Sequence, residues 1–328
     1  MIYGKNGSGK SSLGFALFDI TIHLAVNKSL DAKLLSGNYL NLDTANSQIA
    51  EFVYSFKFGK DNVVYSYGKK SPFDLVYERL FINKKRAVDI NYQKLDEKFI
   101  KLTGIDSLDF SKITDNHVSI IKYIFANSAN GANPTITNLI NFVNGMLWFR
   151  SLNQGNQYNG LITGSKSLDE IVISSGKLKD FERFLNDNNI ITKLSSEEIN
   201  GRPTIMGDFK CGRTPLASIA SSGTFSLWLY YSWMLSLDKV TFLFIDEFDA
   251  FYHYESAAYI FDSIKKSKCL QAFVTTHDTS LMKNDITRPD CCFLMFDGKI
   301  KCLKDCTDKE IRQGHNLEKM YRNKAFSD

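Results

Sequence analysis

Met1-Ile2-Tyr3-Gly4-Lys5-Asn6-Gly7-Ser8-Gly9-Lys10-Ser11-Ser12-Leu13 opens the chain, and Gly4 to Ser11 carries the spacing G-x-x-x-x-G-K-S/T. Gly4, Gly7 and Gly9 free the backbone to turn its N–H groups toward one point, and a helix beginning near Lys10 adds the positive end of its dipole. This is the pattern of a phosphate-binding loop. Asn6, Gly7, Ser8, Gly9, Lys10, Ser11 and Ser12 form the candidate nucleotide-binding set. In this reading Lys10 reaches the β and γ phosphates of a nucleotide, and Ser11 holds Mg²⁺. Ile2 and Tyr3 read as the end of a strand, and Leu13 to Ile22 has helical apolar spacing, which is the setting the loop requires. A three-residue strand is short against the usual length of about five or six, so further sequence is expected upstream of Met1.

A second signal is Thr241-Phe242-Leu243-Phe244-Ile245-Asp246-Glu247. An apolar run ending in two carboxylates predicts a buried strand with acids at its C-terminal edge, where ligands of open α/β sheets bind. Asp246 is the candidate Mg²⁺ ligand and Glu247 the candidate general base for an attacking water. Some thirty residues on, Phe273-Val274-Thr275-Thr276-His277 is another strand ending in polar residues, and His277 is a candidate sensor of the γ phosphate. Ala220-Ser221-Ser222-Gly223-Thr224 precedes an apolar helix. Ser221, Ser222 and Gly223 there offer hydroxyl and backbone donors to an anion, a role that competes with ordinary helix capping.

Around these motifs the pattern alternates. Glu51 to Phe58 and Asn62 to Tyr67, separated by Gly59-Lys60-Asp61, predict a hairpin, and Ala87 to Tyr92 a further strand after Asn83-Lys84-Lys85. Val118 to Phe125, Ile136 to Phe149 and Leu178 to Asn186 predict helices, and Asn153 to Gly160 an exposed loop. After Asp208 the order is helix (Ser221 to Leu237), strand (Val240 to Ile245), helix (Ser256 to Ile264) and strand (Gln271 to Thr275), which predicts a mostly parallel sheet. The expected class is therefore α/β: a mostly parallel sheet, an antiparallel β subdomain and a helical insertion. The expected divisions are 1–95 (phosphate loop and hairpin), 96–200 (helical insertion) and 201–328 (Ser-Ser-Gly turn, acidic pair and His277).

Composition bounds the rest. A chain of 328 residues with 44% apolar and 13% aromatic content can bury a large core. Net charge is +4, which permits nucleic acid without arguing for it. No apolar run reaches the roughly 20 residues of a membrane span, so no membrane partner is expected and a cytoplasmic location is. The six cysteines lack paired C-x-x-C spacing, which argues for reduced thiols rather than zinc.

The order of phosphate loop, Ser221-Ser222-Gly223-Thr224, Asp246-Glu247 and His277 resembles that of ABC-type ATPases, in the branch containing SMC, RecF and OLD (overcoming lysogenization defect) proteins. Within that resemblance His253 falls where OLD-like enzymes carry a histidine at the dimer interface. Phe248 departs from the proline usual after the acidic pair. Gln48 and Gln93 both fit the Q-loop glutamine, and neither is assigned. The helical insertion and the segment Gly314 to Tyr321 look like a compact group of bacterial ATP-binding proteins found among abortive-infection and restriction-associated genes.

The resemblance implies a homodimer, or higher homo-oligomer, that sandwiches ATP, with Ser221 and Gly223 serving the partner's γ phosphate. It also implies a Mg²⁺-dependent ATPase acting as the regulatory or sensing subunit of an anti-phage system, working with a separate effector protein. The alternative is a RecF/SMC-like repair or recombination ATPase that binds DNA. A transporter ATPase is disfavoured by the Ser-Ser-Gly turn and by Phe248, and a purely structural ATP switch by the intact Glu247.

Overall fold

The computed structural model describes residues 1–26, 39–41, 48–95, 97–113, 116–128, 133–150, 157–160, 166–248, 254–267, 271–283, 286–296, 298–312 and 314–326. In chain order its strands and helices are β1 (Ile2–Gly4), α1 (Lys10–Phe18), α2 (Ile20–Leu24), β2 (Ala50–Phe58), β3 (Asp61–Lys69), β4 (Leu75–Ile82), β5 (Lys85–Asn91), β6 (Phe99–Ile100), α3 (Ile120–Asn127), α4 (Pro134–Asn144), β7 (Met146–Arg150), β8 (Gln157–Gly160), α5 (Leu168–Ser174), α6 (Leu178–Asp187), β9 (Leu194–Ile199), β10 (Arg202–Phe209), β11 (Gly212–Pro215), α7 (Leu216–Ile219), α8 (Ser222–Met234), β12 (Phe242–Asp246), α9 (Tyr254–Lys266), β13 (Gln271–Thr276), β14 (Phe293–Phe296), β15 (Lys299–Cys302) and α10 (Leu317–Arg322). The chain forms two compact units: Met1–Gly14 with Leu147–Tyr158 and Ile162–Asp328, and Phe15–Met146 with Asn159–Leu161. The class is α/β, with a mostly parallel sheet and a separate antiparallel one, as expected.

The larger unit is built on a seven-stranded sheet of order β15-β14-β1-β13-β12-β7-β8. β1 runs parallel to both of its neighbours, β13 and β14, and β13 runs parallel to β12; β15 closes one side antiparallel to β14. Strands buried on both faces read as continuous apolar runs, and β12 is buried along its whole length. A smaller antiparallel sheet, β11-β10-β9, packs with α5 and α7. α8 is apolar nearly all round, as a helix enclosed by protein must be. Its Trp228 and Tyr231 meet Phe181 of α6 at ring-centroid distances of 5.9 and 5.0 Å.

The smaller unit carries the antiparallel sheet β2-β3-β4-β5-β6. The expected hairpin is present, with Phe58 opposite Asp61. Asn83 and Lys84 both take positive φ (50° and 66°) in the two-residue turn from β4 to β5. Ile136 to Phe149 differs from expectation. The helix stops at Asn144, caps on Gly145, and the chain continues as β7. Of the expected loop Asn153 to Gly160, residues 157–160 form β8.

The smaller unit also encloses a polar network. Asp19, between α1 and α2, is almost fully buried and pairs with the equally buried Lys69 at 2.8 Å, while Tyr67 and Tyr39 each donate to its carboxylate at 2.8 Å. Glu78 accepts from Tyr65 (2.7 Å), Ser119 (2.6 Å), Tyr92 (2.6 Å) and the Ile120 N–H (2.9 Å). Because the Tyr65 proton goes to Glu78, His23 Nε2, 2.8 Å away, donates to the Tyr65 oxygen. His23 Nδ1 is then a buried atom with no partner. Burial, reinforced by the nearby Lys69 and Lys122 charges, holds the His23 pKa well below its usual value.

Two outcomes follow. Lys69→Met leaves Asp19 as a buried unpaired carboxylate and lowers unfolding free energy by about 3–5 kcal/mol in urea titrations. His23 stays neutral in the fold but takes a proton when unfolded. Stability is therefore fully present above pH ~6.5 and falls by up to about 1.4 kcal/mol per unit below it. Comparing urea midpoints at pH 7.5 and 5.5, His23→Gln shows a shallower loss than wild type.

Candidate functional site

β1 ends at Gly4, and the chain turns through Lys5 to Gly9 before α1 begins at Lys10. Gly7 and Gly9 take φ of +78° and +98°, a region where a side chain is strained. At Gly4 the constraint is space instead, since a Cβ would lie 2.5 Å from Ser8 Oγ and 2.8 Å from the Met295 carbonyl oxygen. The turn is closed by Ser8 N–H donating to Lys5 O at 3.2 Å. Lys10, only 6% exposed, donates its ammonium back to the Gly4 and Lys5 carbonyls at 2.9 and 3.1 Å. The buried ammonium is thus held within the loop by backbone oxygens. Ser8 Oγ is buried without a hydrogen-bond partner, while Ser11 and Ser12 are exposed on the first turn of α1. These features fit a polyphosphate.

Further along α1, Gly14 faces Trp148 of β7 and Phe244 of β12, and a Cβ there would approach Trp148 to 2.5 Å. The start of the helix thus sits close on the sheet that carries the acidic pair.

Register sets what stands beside the loop. Ile2 pairs with Thr275 and Tyr3 with Thr276, so His277 is level with Gly4. Phe244 pairs with Phe273 and Ile245 with Val274, so Asp246 is level with Thr275. The loop, Asp246 and His277 therefore share the C-terminal edge of three parallel strands. Asp246 is buried and its Oδ1 accepts the Thr275 hydroxyl at 2.7 Å. The same hydroxyl accepts the Glu247 N–H at 2.8 Å, and Phe248 N–H donates to the Thr275 carbonyl at 3.0 Å. Glu247 takes φ +52°, uncommon for a residue with a side chain, at the point where the chain leaves β12. His277 is exposed just beyond β13.

Ser221, Ser222 and Gly223 open α8. Ser221 Oγ accepts the Thr224 N–H at 3.1 Å, the capping interaction, and Ser222 is exposed. His253 lies outside the described residues. Gln48 and Gln93 are exposed residues of the smaller unit.

Sequence reading passed over Thr275, although a threonine pair ending a buried strand beside an acidic strand end was a usable signal. It also passed over a cavity of about 750 Å³ against the loop. Residues Gly4 to Ser8 form one side, Leu294 to Phe296 another, and Tyr321, Arg322, Lys324 and Phe326 a third. Thr275→Val removes both hydroxyl bonds, the one it donates to buried Asp246 and the one it accepts from the Glu247 N–H. It lowers stability by about 1–3 kcal/mol in denaturant melts, whereas Thr275→Ser loses much less.

A family model described as "AAA domain, putative AbiEii toxin, Type IV TA system" matches residues 1–283. No curated protein matches the chain. Since the family match runs from the phosphate loop past the acidic pair and His277, the chain belongs to this AAA-domain family of P-loop ATPases.

Proposed function

We propose that the protein is a Mg²⁺-dependent ATPase that dimerises around ATP and acts as the regulatory or sensing subunit of a bacterial abortive-infection system, with a separate effector protein. The observation that carries this reading is the buried Lys10, folded onto the loop carbonyls at the same sheet edge as Asp246. Asn6 to Ser12 would wrap the phosphates through backbone N–H groups and the helix dipole. Among the described residues no three His, Cys, Asp or Glu side chains converge on a metal position. Ser11 and Asp246 would hold Mg²⁺ jointly with phosphate oxygens, and the ion's chemistry would be to neutralise charge developing on the phosphoryl group.

Glu247 takes the proton of the attacking water, its backbone fixed by Thr275. His277 contacts the γ phosphate. Ser221 and Gly223 act from a second copy, which makes the closed dimer the ATP-favoured state. The ABC-type, SMC/RecF/OLD-like character of the site rests on this order of motifs. The family description, which names a type IV toxin–antitoxin system, supports both the abortive-infection setting and a partner protein. No helix among the described residues is long and apolar enough to cross a membrane. For the DNA-binding alternative, Lys265 and Lys266 are both engaged by Asp262.

Phosphate release and light scattering on wild type and Glu247→Gln test the proposal. The expected result is ATP turnover by wild type, a loss of about 10²–10⁴-fold in the variant, and a variant dimer seen only with ATP. ATP hydrolysis without any ATP-dependent dimer removes the composite site; absence of both binding and hydrolysis removes the ATPase.

A further inference from the structure

The cavity beside the phosphate loop has a chemistry that phosphate binding does not use. Its volume, about 750 Å³, lies within the range of roughly 300–1,000 Å³ typical of small-molecule sites. One wall is the apolar end of β14, Leu294 and Met295, leading to Phe296. Opposite it, the C-terminal segment contributes two aromatic rings, Tyr321 and Phe326, and two cations, Arg322 and Lys324. Lys10 already serves the phosphates, so these groups answer to another part of a ligand. Aromatic rings and a guanidinium are what a nucleobase stacks upon.

The segment is built to hold that wall in place. Leu317, fully buried, anchors α10, which packs against the turn Thr279–Leu281 just after His277. Arg322 is steadied by Glu318 one turn earlier, at 2.7 Å. The helix ends in a left-handed turn: Lys324 has φ +55°, and Ala325 N–H reaches back to the Met320 carbonyl at 2.9 Å. That reversal returns the chain so that Phe326 lines the same cavity as Tyr321.

We propose that this cavity is the base-and-ribose compartment of the nucleotide site, with Tyr321 and Phe326 stacking on the base of a nucleoside triphosphate whose phosphates lie on the loop. The proposal rests on the ATP reading above and adds the part of the site that distinguishes a nucleotide from a bare polyphosphate. Because α10 also touches the turn after His277, base binding and the γ-phosphate sensor share a support.

Calorimetric titration of the full chain with Mg²⁺-ATP and with Mg²⁺-tripolyphosphate separates the two ideas. Wild type is expected to bind ATP more tightly than tripolyphosphate. Tyr321→Ala and Phe326→Ala are each expected to weaken ATP by about five- to one-hundred-fold, the range of one base–aromatic stack, while tripolyphosphate changes by less than about twofold. Tyr321→Trp, which keeps an aromatic face, retains ATP affinity. Three results overturn the proposal: both alanine variants binding ATP like wild type, ATP and tripolyphosphate weakening together, or wild type binding the two equally. Wild type binding neither ligand overturns the ATP reading itself, and the cavity assignment with it. Far-ultraviolet circular dichroism and thermal melts of each variant, matching wild type, assign any selective loss to the wall rather than to unfolding.

Discussion

Everything at the site depends on how three residues are placed. Ile2, Tyr3 and Gly4 form a strand with parallel neighbours on both sides, β13 and β14. Parallel pairing aligns strand ends, so the loop following Gly4 is brought level with the ends of β13 and, one strand further, β12. Ile2 and Tyr3 are buried, and their register is locked by both neighbours. Close approach then dictates residue type, and glycine is needed at Gly4 against Met295 and at Gly14 against Trp148. Any side chain at these two places would push the loop or its helix off the sheet.

Around that edge the fold accepts local cost in return for position. Glu247 holds a left-handed backbone worth about 1–3 kcal/mol of strain, a cost common at functional sites. It is held there by the Thr275 hydroxyl, the Thr275 carbonyl bond to Phe248 and the complete burial of the Phe248 ring. This also explains why phenylalanine stands at position 248. The residue acts as an apolar peg beneath the acidic turn, a task proline would not perform in the same way because it has no N–H to donate to Thr275. The smaller unit spends its polar groups differently, in a closed network on Asp19 and Glu78 in which nearly every donor and acceptor is matched. Such networks specify one arrangement of the elements that contribute to them.

Local pattern made much of this legible. The loop, the apolar run of β12 and the alternation of β2 each declare themselves within a few residues, because phosphate loops, buried strands and half-exposed strands differ in periodicity and glycine use. β4, Leu75 to Ile82, escaped because buried Glu78 breaks its apolar pattern as a solvent-facing acid would. The run from Ile136 to Phe149 read as one helix because its last three residues, Leu147 to Phe149, are buried and so show no strand alternation. Nothing local reveals that Lys69 is interior, since its partner Asp19 lies fifty residues earlier.

By itself the sequence determined the phosphate loop, the acidic pair, the strand ending at His277 and the α/β class, since each rests on residues adjacent in the chain. The tertiary structure alone decided that Thr275 couples Asp246 to the backbone of Glu247, and that Glu78 and Lys69 are interior. It also decided that the last turn of the chain, Tyr321 to Phe326, walls the cavity opened by the first few residues. These contacts join residues roughly thirty to three hundred positions apart. They are set by strand order and register, which no local pattern encodes.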